Sequence, residues 1–336
     1  MQKNRVPLAL EIVLLLLVSS SIIGCGSSRT SSPVTLAAAT PPHRLDTGPL
    51  GLPLYCPGYL AHDQQGNVYV GDSDEGNQNS HRARIVKLSP TGQLLGEWHV
   101  FTAFHRRLRS GPFGLAVDTL GTVYVADAGD NTIKKLSPTG ALLATWGKTG
   151  SAPGEFSLPE GVALDAQGNV YVADAFNSRI QKFSSMGTLL AVWGNTGSPA
   201  ERLKTPVGIA VDIQGDLYVS DIRNHRIVKF SPEGKFLLAW DQAGSTPFSS
   251  AKDMAVDREG NVYIADDRND RIVKLSPTGK VLAIWGNQMA SGMFGITIDL
   301  QENVYFAEFS AKGGVRKLSP SGAVLATWPA TCIPPG

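Results

Sequence analysis

The 336-residue chain has almost no net charge, +1 at neutral pH, and no long run of like charge. Nothing global therefore points to a phosphate backbone as partner, and nucleic-acid binding is not expected. The chain also lacks a G-x-S-x-G elbow, a Walker motif and a Gly-rich dinucleotide turn. Its Ser, His and Asp residues are too scattered to argue a catalytic triad. What it does have is 36 Gly, 21 Pro and 42% hydrophobic residues. That is enough for a sizeable core and too turn-rich for a helical protein.

The N-terminus reads as a targeting segment. Lys3 and Arg5 form a short positive region, and an apolar run follows that is broken only by Glu11 and ends in "SIIGC", residues 21–25. A short apolar core after basic residues, ending at small residues, is a signal peptide rather than a spanning helix. "IIGC" resembles the bacterial lipobox, which implies that Cys25 is lipidated and becomes the first residue of the mature chain. Residues 1–24 are then the leader. Residues 25–45, rich in Ser, Thr, Ala and Pro, form a flexible tether, and 46–336 a folded domain. Loss of Lys3, Arg5 and Glu11 with the leader makes the mature chain neutral. The expected location is the extracytoplasmic side of a bacterial membrane, held by the lipid alone.

One unit recurs along the domain. "VYVADAFNSRIQKFS" (170–184) has counterparts at 123–137, 217–231 and 262–276, and looser copies at 68–89 and 304–319. The marker tyrosines are Tyr69, Tyr124, Tyr171, Tyr218, Tyr263 and Tyr305, at spacings of 55, 47, 47, 45 and 42 residues. Each unit holds four short runs rich in Val, Ile, Tyr and Leu, separated by turn signals such as "AQG" and "SPTG". Such runs are strands, and Pro followed by Gly suits a tight turn. Four strands in a unit of this length make one propeller blade, and six blades close into a ring without an open sheet edge. The expected fold is all-β, a six-bladed β-propeller with four antiparallel strands per blade.

The pattern "P-x-G-[IV]-A-[VL]-D … G-[ND]-[VL]-Y-V-[AS]-D … N-x-R-I-x-K-[FL]" resembles NHL repeats, over about residues 50–329. The resemblance implies a six-bladed propeller. The first and sixth units each carry their own four strands, so no strand is left over to close the ring. Cys56 precedes the first blade and Cys332 follows the last, and in a closed ring these points are neighbours. An exported chain permits disulfides, so a Cys56–Cys332 bridge is expected as the clasp.

Candidate sites are read from the repeats. Asp72, Asp127, Asp174, Asp221, Asp266 and Glu308 fill one position, and Arg84, Arg179, Arg226 and Arg271 another. A catalytic group is needed once per site, not once per blade, so these read as structural. A second series, Asp63, Asp118, Asp165, Asp212, Asp257 and Asp299, reads the same way. Function is expected where the repeats disagree. Blade 1 has seven extra residues after its second strand, including Asp74, Glu75 and His81. The link to blade 2, "HVFTAFHRRLRSGPFG" (99–114), carries His105, Arg106, Arg107 and Arg109. Both features belong to one face of a propeller, which makes them a candidate recognition surface. The variable residue of P-x-G is Gly58, Phe113, Glu160, Val207, Lys252 and Phe294 in blades 1 to 6. These positions are expected at the channel mouth, where they would hold a small amphipathic ligand or plug the opening.

Enzyme readings fit less well. The family's lyase relative, the peptidyl-hydroxyglycine amidating lyase, holds zinc through histidines near the channel. Here none of His43, His62, His81, His99, His105 and His225 occupies a P-x-G position, and only His62 falls on an inner strand. A lactonase-type mouth would need a Glu and Asn or Asp around calcium, and only Glu160 qualifies. "DSDEGNQN" (72–79) has closely spaced oxygen ligands but not the EF-hand spacing, so calcium there ranks well below no metal. No cofactor is expected. RNA binding would want a strongly basic face. No RING or coiled-coil pattern precedes the repeats, so a ubiquitin-ligase role is not expected either. The best reading is an envelope scaffold that binds a protein, peptide or glycan, with a metal-using propeller lyase or hydrolase as the alternative.

Overall fold

The β-branched and aromatic runs of each unit are strands because alternate side chains can bury on both faces of a thin blade. In the computed structural model, which describes residues 54–73, 83–101, 111–286, 292–309 and 313–330, the third unit shows the pattern. Its strands are Pro159–Leu164, Val170–Asp174, Arg179–Phe183 and Leu189–Trp193. They pair antiparallel in chain order. The other five blades repeat this order, from Pro57–His62 in blade 1 to Val324–Pro329 in blade 6. The chain is a six-bladed β-propeller with four antiparallel strands per blade. Each sheet is built from consecutive strands, so the first and last blades exchange none.

Burial falls off from the ring's interior outwards. The second strand of every blade is buried at all five positions. The fourth strands leave alternate residues such as Leu143, Leu190 and Leu325 exposed. The core therefore lies between blades. Each of the six tryptophans lies at or next to the end of a fourth strand and packs on the marker tyrosine of its own blade, with ring centroids 5.6 Å apart for Tyr69–Trp98 and 5.8 Å for Tyr305–Trp328. The same indole covers the glycine of the next blade's third turn. A Cβ on Gly322 would stand 2.2 Å from Trp285, and one on Gly92 would stand 2.4 Å from Trp328. That last contact joins blade 6 to blade 1. Leu54 and Ala330, one at each end of the described ring, also share a buried cluster with Leu60, Tyr305 and Trp328.

Two local features were not anticipated. The link from blade 4 to blade 5 folds into a small hairpin, Gln242–Ala243 with Thr246–Pro247. In blades 3, 4 and 5 the turn after the second strand is a single 3-10 turn: Ala175–Asn177, Ile222–Asn224 and Asp267–Asn269. Each ends on a left-handed residue, Ser178, His225 or Asp270.

Candidate functional site

The aspartate that closes each second strand ties down the incoming link. The Asp174 carboxylate accepts the Ser157 N–H at 2.8 Å, the Asn177 amide at 2.9 Å and the Arg179 Nε–H at 2.7 Å. The remaining Arg179 donors go to the carbonyls of Ser151, Ala152 and Glu155 in the same link. Asp221–Arg226 and Asp266–Arg271 repeat the pairing at 2.8 Å. These charges are buried and satisfied by each other and by backbone, so they form part of the frame. Burial still pushes the Asp174 carboxyl above its usual range, and Asp72 up to about 6, against the pull of their arginines.

Blades 2 and 6 lack the arginine, with Thr132 and Gly314 in its place. A cation two residues further along the same strand takes over. Lys134 bonds Asp127, and Arg316 reaches Glu308 at 3.0 Å. Residues i and i+2 of a strand share a face, which is why the substitution works. In blade 3 that second position holds Gln181, whose amide also donates to Asp174.

The other aspartate series makes the first turn of each blade. Asp165 Oδ1 accepts the N–H groups of Gln167 and Asn169, and Oδ2 accepts the Tyr171 hydroxyl at 3.1 Å. Lys182 stands 3.4 Å from the same carboxylate and 4.8 Å from the centre of the Tyr171 ring. Burial opposes ionisation of Asp165, but the Asn169 bonds and Lys182 outweigh it and hold the carboxyl below its usual range.

The channel is lined by the first strands. Gly114, Gly161, Gly208 and Gly295 let neighbouring strands touch: a Cβ on Gly161 would lie 2.3 Å from the Val207 carbonyl, and one on Gly295 2.5 Å from the Gly58 carbonyl. Blades 1 and 5 break this rule with Tyr59 and Asp253; the "AKDM" of blade 5 reads in the sequence as a degraded P-x-G motif, whereas Tyr59 carries no such mark. Set under "PFGL", the "PGYL" of blade 1 shows the glycine replaced by Tyr59. The Tyr59 ring packs 5.8 Å from Phe113, and its hydroxyl donates to Glu160 Oε2 at 3.0 Å. Asp253 accepts the Ile296 N–H at 3.1 Å across the seam between blades 5 and 6. It is 7% exposed, and burial pushes its carboxyl up to about 8. Below the mouth the first strands enclose a cavity of about 190 Å³. His62 lines it and bonds Thr297 at 2.9 Å, and burial lowers its pKa despite Asp299 and Asp63.

The expected mouth residues do not form one open ring. Phe113 and Val207 are buried in a cluster with Tyr59 and Val162. Phe294 packs 5.5 Å from Phe309, and the Lys252 ammonium stands 4.9 Å above the Phe294 ring. Tyr59 borders both the cavity and an apolar pocket with Phe113, Phe294 and Phe309. Cys56 is buried at that pocket. Cys25 and Cys332 lie outside the described residues, as do Asp74, Glu75, His81, His105, Arg106, Arg107 and Arg109. Among the described residues no group of three or more His, Cys, Asp or Glu is placed to hold a metal, and no helix is long and apolar enough to cross a membrane.

On the face of the links and 3-10 turns, a second cavity of about 460 Å³ opens between blades 4 and 5. Its cations are Lys204, Arg223, Lys252 and Arg268, with His225, Ser249, Ser250 and Asp267 alongside.

A family model for the NHL repeat matches residues 156–183 and 203–230, which span the first three strands of blades 3 and 4. The blades are NHL repeats. A search of the curated proteins found no match. Among solved structures, this NHL propeller is similar to a streptogramin B lyase, at 16% identity and a TM-score of 0.56, over 83% of this chain and 84% of that one. It is similar to a catalytically inactive histidine-to-alanine variant of virginiamycin B lyase from Staphylococcus aureus, with quinupristin, at 14% identity and a TM-score of 0.57, over 82% and 84%. It is also similar to a chain of a nidogen/laminin complex, at 19% identity and a TM-score of 0.54, over 81% and 92%. At these identities the likeness is one of fold.

Proposed function

We propose that this NHL propeller is a binding module, tethered by a lipid on Cys25 to the extracytoplasmic side of a bacterial membrane, and that it recognises a protein or peptide ligand. The observation that carries the reading is where the unpaired charge lies. The charges repeated in every blade are spent on the frame, whereas Lys204, Arg223, Lys252 and Arg268 gather on one face and make no ion pair among the described residues. Arg106, Arg107 and Arg109, in the sequence between blades 1 and 2, are proposed as a second, separate basic part of the recognition surface. The likeness to a chain in the nidogen/laminin complex supports a scaffold role for the fold.

A Cys56–Cys332 disulfide completes the proposal as the clasp of the ring. Leu54 and Ala330, two residues from Cys56 and Cys332 respectively, share one buried cluster, which supports the pairing.

The test of function is crosslinked capture from envelopes with the full-length protein and with Arg106→Ala/Arg107→Ala/Arg109→Ala. A captured protein that is lost with the variant supports the surface. Capture that persists removes it. A stoichiometric, tightly bound metal in the purified protein would overturn the binding role in favour of a channel lyase or hydrolase. Labelled fatty acid that fails to appear on the chain, or appears equally on Cys25→Ser, would overturn the anchor.

A further inference from the structure

We infer that the pocket between blades 4 and 5 seats an acidic segment of a protein ligand, one that presents several Asp or Glu carboxylates together. This deepens the reading of the molecule as a binding propeller and rests on it. The pocket sets four permanent cations, Lys204, Arg223, Lys252 and Arg268, against one carboxylate, Asp267. Asp267 Oδ1 is itself engaged by the Gly292 N–H at 3.0 Å. The four cations make no ion pair among the described residues. In the same blades Arg226 and Arg271 are each held by an aspartate at 2.8 Å. Both kinds of cation thus occur within a few residues of each other, and only one kind is neutralised.

The fold does not need the unneutralised set. Arg223 and Arg268 occupy the middle of the 3-10 turn, where blade 3 carries Phe176. Lys252 occupies the variable P-x-G position, where blades 3 and 4 carry Glu160 and Val207, and Lys204 stands where blade 3 has Ser157. The blade tolerates an aromatic, an acid, an aliphatic or a hydroxyl at these positions. Four cations gathered there cost mutual repulsion and, apart from the Lys252 contact with the Phe294 ring, make no ion pair that would offset it among the described residues, which is the pattern of a surface shaped by its ligand.

The chemistry of the pocket selects carboxylates in number. Two guanidinium forks match carboxylate oxygens bidentately, and the two ammoniums add point charges. Lys252 is already positioned over the Phe294 ring, at 4.9 Å. The Ser250 side is buried, while Arg223, Arg268 and Lys204 are exposed, so a ligand reaches the cations from solvent. A volume of about 460 Å³ and four positive charges exceed what a single phosphate can fill or neutralise. A short extended acidic peptide does both.

The assay is fluorescence anisotropy of labelled hexaglutamate with the whole folded protein, at about 20 mM salt and again near 0.2 M, where screening cuts surface attraction. The wild type should bind at low salt and release at high salt. Arg223→Ala/Arg268→Ala should weaken binding at least about tenfold, which is about 1.4 kcal/mol. Lys235→Ala/Arg258→Ala removes the same charge from exposed residues in the turns of the opposite face and should bind as the wild type does. Unaltered binding by Arg223→Ala/Arg268→Ala overturns the inference, as does an equal loss in both variants. Inorganic phosphate or a sulfated oligosaccharide that displaces the probe more readily than unlabelled hexaglutamate also overturns it, in favour of an oxyanion or glycan site. The probe needs no natural partner. Failure to capture a partner from envelopes therefore counts against the wider reading, and failure of the probe against this pocket.

Discussion

Replacing Asp253 by Asn should stabilise the protein above about pH 5 and leave it unchanged near pH 3. Asp253 takes the place that glycine holds in four of the six blades, and its carboxylate meets only the Ile296 and Met254 N–H groups as it is buried. Burial raises the pKa to about 8 from 3.8. A carboxyl whose folded pKa lies above its unfolded value contributes stability that is fully present below about pH 4 and lost as the pH rises towards 8. Each unit of pH in that window costs about 1.4 kcal/mol, so the ceiling at pH 7 is about 4 kcal/mol. Relaxation of the seam and water entry reduce this, and about 1–3 kcal/mol is the expected gain for Asp253→Asn at pH 7. The amide oxygen still accepts the Ile296 N–H, so the cross-blade bond survives the change. Urea unfolding of both proteins at several values between pH 3 and pH 8 measures the difference, and contributions from other groups cancel in it. A difference that stays flat across that range would refute the argument, because a carboxyl ionised in both states adds no slope.

Three further outcomes test the frame. Gly322→Ala should cost about 2–4 kcal/mol in thermal unfolding, since its φ of +86° strains any Cβ and that Cβ would meet the Trp285 indole at 2.2 Å. Arg179→Ala should cost about 3–5 kcal/mol by leaving Asp174 buried and the link carbonyls unpaired, and Arg179→Lys should recover little because one ammonium cannot reach all four acceptors; full recovery of the melting temperature by Lys would contradict this. Cys332→Ser should lower stability by about 3–5 kcal/mol in the chain-entropy account of a bridge that closes nearly the whole domain, and free Cys56 and Cys332 thiols in a non-reducing tryptic map of the oxidised wild type would exclude the clasp.

The blade was legible along the chain because its signals are local. Four apolar runs, the Asp turn and the "SPTG" turn lie within one unit, and repetition made them unmistakable. The structural role of Asp174 and Arg179 followed from their recurrence. What the repeat pattern could not show was who takes over when a position fails. Lys134 and Arg316 replace the missing arginine from two residues away, a substitution that depends on strand faces rather than on spacing in the motif. The lost motif at Asp253 is legible as "AKDM", but the burial of its carboxyl, and the reach of Tyr59 to Glu160, depend on how the first strands pack around the channel.

The sequence by itself determined the four strands of each blade, the number of blades and the closed ring, because each blade's hydrogen bonds and alternating burial are set within about 45 residues. Only the tertiary structure decided which of the repeated and variable charges are free. Arg223 lies in the 3-10 turn of blade 4, and Arg226, three residues on, opens the following strand. Arg226 faces inward to Asp221 and is neutralised. Arg223 opens onto a cavity that Lys252 and Arg268 reach from the next blade. Pairing depends on distances between residues remote along the chain, and those exist only once neighbouring blades have packed.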